Sequence, residues 1–287
     1  MAAGSKVAII TGASRGLGLA LAHAFAKAGY NLVLTARDRD ALAALKAELE
    51  TQTGRTVATV AADLADGDAA ELLLRSAQER FPRIDVLINN AATQGPIGSL
   101  WDNDWAAWAR AVRTDLMAPV ALCRAFAPAM IAAGRGSIIN ISGGGATGPR
   151  PKFTAYATAK AGLVRFSETL AAELAPFGVG VNCIAPGAMN TRMLAEVEAA
   201  GETAGPKELA VVSKVRAQGG ASMERVAKLC LYLSSDEAKD VTGKLISAVW
   251  DPWEAFPEHA EELKTTDIYT LRRIVPRDRG KTWGNDL

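Results

Sequence analysis

The chain of 287 residues predicts a doubly wound parallel α/β sheet between two helical layers, a three-layer α/β/α single domain with a C-terminal extension. Three observations predict it. Short apolar runs alternate with longer segments of helical period. The runs are almost continuously apolar, as strands covered on both faces are. A glycine-rich turn, TGASRGLG at 11–18, joins the first run to the first periodic segment. Right-handed crossovers then wind one sheet, with ligands at the carboxyl ends of its strands.

Each element follows in order. Lys6-Val7-Ala8-Ile9-Ile10 is short and β-branched, a buried strand, and Leu17, Leu21 and Phe25 then repeat at helical spacing. After the turn at Gly29 come a strand at 31–35, an Ala/Leu/Glu/Lys helix at 38–50, a strand at 56–61 and a helix at 66–80. The apolar run 84–88 leads into Asn89-Asn90, a long helical region covers 102–133, and 136–142 is again strand. A helix at 154–175, a strand at 178–184, a helix at 222–234 and a strand at 243–249 close the pattern.

Bulk properties narrow the function. Hydrophobic residues are 49%, charged residues 22% and the net charge +1, which gives no footprint for nucleic acid or an anionic membrane. Cys123, Cys183 and Cys230 are scattered and odd in number, so neither a disulfide framework nor a zinc knuckle is expected, and two histidines, His23 and His259, speak against a metal site. The first strand begins within about half a dozen residues of Met1, which predicts no secretory signal and a cytoplasmic protein. The most membrane-like window, 116–134, holds Pro119, Arg124 and Pro128 and reads as a buried helix.

Residues 1–250 read as one domain and 251–287 as an extension rich in Pro, Trp and Arg. From Trp250 its basic and aromatic residues (Trp250, Trp253, Tyr269, Arg272, Arg273, Arg277, Arg279, Trp283) are interrupted by Asp251, Glu254, Glu258, Glu261, Glu262 and Asp267. That mixture predicts an arm packing across its own or a neighbouring subunit. The alternative is an arm lining the substrate pocket, since it leaves the last strand at the carboxyl-end side of the sheet.

The turn at 11–18 carries the first chemistry. Free N–H groups and the positive end of a helix converge there, glycine admits close approach, and Arg15 adds a charge, so a phosphate-bearing ligand is expected. The spacing of Gly12, Gly16 and Gly18 is G-x-x-x-G-x-G, and ordinary tight turns also look like this. The second strand ends Thr35-Ala36-Arg37, with a cation where a ribose-binding carboxylate would stand. Arg37 and Arg15 together suit a 2′-phosphate, predicting NADP(H) over NAD(H); the other reading makes both solvated loop cations.

The second chemistry lies in Tyr156-Ala157-Thr158-Ala159-Lys160, which puts a phenol and an ammonium on one helical face. A phenol near pKa ~10 is a poor base, and a nearby cation with an oxidised nicotinamide favours its phenolate. Taken with TGASRGLG, Asp63-Leu64, Asn89-Asn90-Ala91 and Pro186-Gly187 with Thr191, this order and spacing resembles the short-chain dehydrogenase/reductase family over about residues 5–250. The resemblance implies a Rossmann-type domain that oxidises alcohols or reduces carbonyls with NAD(P)(H). It implies that Gly12, Arg15, Gly18 and Arg37 hold the adenosine phosphates, with Ser14, Gly16 and Leu17 in the same turn. Asp63 and Leu64 would contact adenine, and Asn90 with Ala91 the neighbouring ribose region. Lys160 would bind the nicotinamide ribose, Tyr156 would exchange the proton, Thr191 would meet the carboxamide, and Pro186-Gly187 would shape the nicotinamide pocket.

Three positions depart from the family. Where a serine is usual, 13 residues before the tyrosine, stands Gly143; Ser142, one residue earlier, is the expected substitute donor. Asp115 replaces an asparagine whose main-chain carbonyl holds a water, and Ala92 replaces a glycine. Residues 188–222 correspond to the family's mobile lid over a small-molecule substrate, with Met189, Met193 and Leu194 either meeting substrate or packing the lid. The long helices near 102–133 and 154–175 resemble the family's dimer-forming pair, so a homotetramer or homodimer is expected. Two function classes remain: an NADPH-dependent carbonyl reductase or alcohol dehydrogenase, and a catalytically weakened nucleotide-binding regulatory or scaffold protein.

Overall fold

A computed structural model describes residues 5–283. In it the apolar runs become β1 (Val7–Thr11), β2 (Asn31–Ala36), β3 (Val57–Ala61), β4 (Val86–Asn89), β5 (Gly136–Ile141), β6 (Val179–Ala185) and β7 (Leu245–Ser247). They form one parallel sheet in the order β3-β2-β1-β4-β5-β6-β7. The order reverses direction beside β1 and β4, which opens a crevice at their carboxyl ends.

The helices are α1 (Gly16–Lys27), α2 (Arg39–Thr53), α3 (Ala69–Arg80), α4 (Trp105–Val112), α5 (Ala118–Ala133), α6 (Thr154–Leu174), α7 (Arg192–Ala199), α8 (Pro206–Gln218), α9 (Met223–Leu233) and α10 (Ala260–Thr265). Strand alternation divides their partners. Ala8, Ile10, Leu32 and Leu34 face a layer built on Leu17, Leu21 and Phe25 of α1 and Leu229 of α9. Val7, Ile9, Val33 and Leu87 face the opposite layer, with Leu73 of α3 and Leu122, Phe126 and Met130 of α5. Both faces are dry, which is why the strands read as continuous apolar runs.

Three boundaries differ from the sequence expectation, each for a local reason. α3 starts at Ala69 rather than near 66, because the Asp63 carboxylate accepts from Ala65 N–H at 3.0 Å and closes a turn first. β7 stops at Ser247, whose hydroxyl oxygen accepts from Val249 and Trp250 N–H. The long helix is interrupted: Arg113–Met117 forms a π turn between α4 and α5. Pro119 has no N–H to give Asp115 its α-type bond, so the wider turn forms there. The stretch Trp105–Ala133 is long and apolar enough to cross a membrane by length and composition; in this fold it buries Leu122, Cys123, Phe126 and Met130 beneath the sheet.

The extension folds back on its own chain. Trp253, Phe256 and Leu263 join the apolar layer of α1 and α9. Lys244 Nζ donates to the carbonyls of Thr266 and Ile268, each at 2.9 Å, and Leu245 N–H donates to Tyr269 O at 2.8 Å. The outer edge of β7 is thereby covered. Of the region from Trp250 onward, Trp250 and Asp251 line the cavity described next, and the described residues beyond them do not.

Candidate active site

The carboxyl-end loops of the strands enclose one cavity of about 1550 Å³, lined by the glycine turn, Arg37, Asp63, Asn90, Ser142, Tyr156, Lys160 and the 186–197 segment. At its floor the glycine turn closes tightly. A side chain on Gly18 would place its Cβ 2.1 Å from Gly12 O, and one on Gly12, at φ +67°, would lie 2.9 Å from Ala91 Cα. Backbone thus lies bare where a diphosphate would rest on the start of α1. A dinucleotide fits these residues: the cradle is one that a Cβ would fill. Ser14, Arg15, Gly16 and Leu17 also line the cavity, and Thr191 lies against Gly16, its Cγ2 3.5 Å from where a Cβ would sit. Leu17 also packs its side chain into the core.

Several predicted residues stand there in different roles. Asn90 Nδ2 donates to Thr11 O at 2.8 Å, while Thr11 Oγ1 accepts from Asn90 and Ala91 N–H at 2.9 Å each. Its amide therefore staples the turn rather than standing free for a ribose. The Asp63 carboxylate meets Arg110 at 2.5 Å and Arg37 at 3.8 Å, so it is an ion-pair partner before it is an adenine contact. Leu64 is half-buried on the wall beside it. Gly187 takes φ +82°, and a Cβ there would meet Val249 and Ala221 at 2.8 and 2.9 Å; Pro186 lies beside it on the cavity wall.

α6 carries Tyr156 and Lys160 on its buried face. Lys160 Nζ donates to Ile141 O at 3.0 Å, lies 5.7 Å from the Tyr156 ring centre and sits 3.9 Å from Asp115 Oδ2. The phenol oxygen occupies the space of the missing side chain: a Cβ on Gly143 would lie 2.0 Å from it. Ser142, 2% exposed, is held by its N–H to Ile184 O at 2.8 Å, and its hydroxyl is buried without a hydrogen-bond partner. It reaches the cavity wall but does not bond Tyr156.

Burial dominates the electrostatics of the phenol in the chain itself. Burial pushes Tyr156 well above the ordinary range, and Asp115 and Glu208 add to the rise while Arg150 opposes it. Asp115 is itself raised to about 6, by burial first, against the pull of Lys160 and the Thr93 N–H that its Oδ1 accepts at 2.9 Å. A carboxyl moved from 3.8 to about 6 by folding stabilises the folded chain fully below pH 3.8 and loses that contribution as pH rises through about 6. The difference is about 3 kcal/mol. Asp115→Asn abolishes this titration, so urea unfolding should show the variant gaining roughly that much on the parent from about pH 4 to about pH 8. Parallel pH profiles would contradict the assignment.

Gln94, Arg110, Arg150 and Glu208 are among the cavity residues not found from the sequence. Arg150 and Glu208 are 58 residues apart and share no local pattern. Only the neighbourhood of Arg150 to the Tyr156 helix hinted at a role. Pro119, by contrast, was a legible sign of the disturbed turn at Asp115.

Comparison with known proteins agrees with this architecture. The short chain dehydrogenase family model matches residues 6–202. The chain is 33% identical to the 3-oxoacyl-[acyl-carrier-protein] reductase FabG of Chlamydia trachomatis over 245 residues, 85% of this chain and 95% of that protein. The L-sorbose reductase of Gluconobacter frateurii, solved with NADPH and L-sorbose, superposes with a TM-score of 0.76 at 32% identity, over 85% of this chain and 94% of that one. An NAD+-bound xylitol dehydrogenase gives 0.76 at 26% identity, over 84% and 96%. The matched span runs from the first strand through α6 and past α7, and the chain belongs to the short-chain dehydrogenase/reductase family.

Proposed function

We propose that the protein is an NADP(H)-dependent oxidoreductase that interconverts a small carbonyl compound and its alcohol, with Tyr156 as the acid/base group. The observation that carries this is the pairing on α6: a phenol and an ammonium on one face, in the same cavity as the bare glycine turn. The bound nicotinamide supplies hydride exchange with the carbonyl carbon. The chain supplies position and protons. Tyr156 gives its proton to the carbonyl oxygen during reduction, and its raised pKa keeps that proton in place at neutral pH. Lys160, anchored by Ile141 O, holds a cation beside the phenol and fixes the ribose edge of the site. Ser142 Oγ, buried and unpartnered, is the side-chain donor we assign to the substrate oxygen. A homodimer or homotetramer is the proposed assembly.

Arg15 and Arg37 support NADP(H) over NAD(H). Asp63 is already engaged at 2.5 Å by Arg110, and Arg37, at 3.8 Å, is the looser of its two partners. Arg37→Ala should weaken NADPH binding by roughly 10–100-fold, the loss of a charged hydrogen-bonded contact, with NADH changed by less than about 2-fold. Fluorescence titration of both coenzymes checks it; equal losses would speak against the 2′-phosphate role. A screen of aldehydes, ketones and alcohols that follows NADPH absorbance tests the reaction itself. The second reading, a catalytically weakened nucleotide-binding protein, is favoured by the missing side chain at Gly143, and no turnover across that screen would select it.

A further inference from the structure

Arg150 stands in the loop between β5 and α6, on the cavity wall beside the acid/base group. Its Cζ lies 3.8 Å from the centre of the Phe153 ring and 5.3 Å from that of Tyr156. Nη1 donates to Gln94 Oε1 at 3.1 Å, and Gln94 is itself buried. These contacts fix the plane of the guanidinium. The edge left over, Nε and Nη2, is the two-donor fork that matches a carboxylate. In this structure Glu208 fills it, with Oε1 at 3.0 Å and Oε2 at 2.7 Å.

The two partners sit on different parts of the molecule. Arg150 is held against the rings of Phe153 and Tyr156 at the start of α6, whereas Glu208 belongs to α8 in the segment corresponding to the lid. That helix is bounded by glycines in conformations that side chains resist, Gly205 at φ +89° and Gly219 at φ +77°. Both side chains are about 15% exposed, 15% for Arg150 and 16% for Glu208, so the pair is largely dry. A guanidinium kept this dry needs a carboxylate partner. Leu194, Val197 and Val212 add apolar wall to the same cavity.

We propose that Arg150 receives a carboxylate carried by the substrate, and that Glu208 keeps that seat until the substrate displaces it. The substrate class is then an oxo acid and its hydroxy acid, with a small apolar body between the acid group and the reacting carbon. This deepens the oxidoreductase reading and rests on it, but its test is a binding experiment that needs no turnover.

Butanoate, benzoate and cyclohexanecarboxylate are titrated by calorimetry into the NADP+-saturated protein, each beside its own amide. At least one acid should bind, with its amide at least about 10-fold weaker. Arg150→Met should weaken the acid by roughly 10²-fold and leave the amide little changed, and Glu208→Gln, which removes the competing charge, should tighten the acid by roughly 10-fold. If no acid binds, if acids and amides bind alike, or if both variants lower Tm and weaken acid and amide equally, the pair is a fastening of the lid and the proposal is overturned. Acid binding through Arg150 without turnover of any carbonyl would instead defeat the redox reading alone.

Discussion

Tyr156→Phe is expected to lower carbonyl reduction by roughly 10²–10⁴-fold while leaving coenzyme binding in place. The substitution removes one oxygen and keeps a ring that is already packed against Phe153, Leu194 and Val197. That packing is retained, so Tm should hold. Direction of reaction provides a second reading of the same group. A phenol held well above its ordinary range stays protonated at neutral pH, ready to donate during reduction. As a base in alcohol oxidation it must first lose that proton. Reduction should therefore be flat across neutral pH, and oxidation should climb steadily toward alkaline pH. Steady-state rates of parent and variant in both directions check this; a variant with parental turnover removes Tyr156 from the chemistry.

The second large effect is expected at the floor of the cavity. Gly18→Ala places a methyl 2.1 Å from Gly12 O and 2.7 Å from Asn90 Nδ2, atoms of the turn's own backbone and of its staple. Neither is a flexible side-chain tip that swings aside. The turn must open, which costs about 1–3 kcal/mol and breaks the Asn90–Thr11 bond. Coenzyme affinity should fall roughly 10²-fold, read by fluorescence titration, together with a lower Tm. Gly29→Ala is the contrasting control, because its φ of +91° strains any side chain while a Cβ there touches nothing within 4 Å. It should cost stability alone. Equal loss of coenzyme binding in both variants would show a general backbone effect rather than a cradle.

The fold was legible because parallel strands buried on both faces leave an unmistakable trace: runs such as Val7 to Thr11 and Ile138 to Ile141 have no polar face to show. The glycine turn and the Tyr156/Lys160 pair were legible because each is local, a few residues within one turn or one helical face. What escaped was non-local. The Arg110–Asp63 and Arg150–Glu208 pairs join residues 47 and 58 positions apart, and no pattern in either segment announces the other. The direction of the Tyr156 shift escaped for a related reason. It is set by burial and by Asp115 on a different helix, and a sequence shows charge but not its desolvation. The bond of the Asn90 amide to Thr11 escaped because Thr11, its neighbour in space, belongs to another strand.

The clasp between β7 and the returning extension governs how this chain tolerates change at its end. Lys244 has its ammonium seated on two carbonyls from that extension, and Leu245 finds its acceptor there as well. Trimming the chain before residue 266 would strand a cation, bare the last strand to pairing with foreign chains and expose the aromatic plug of Trp253 and Phe256. The expected first effect of such a cut is loss of solubility, checked by the soluble yield of the trimmed chain beside the parent.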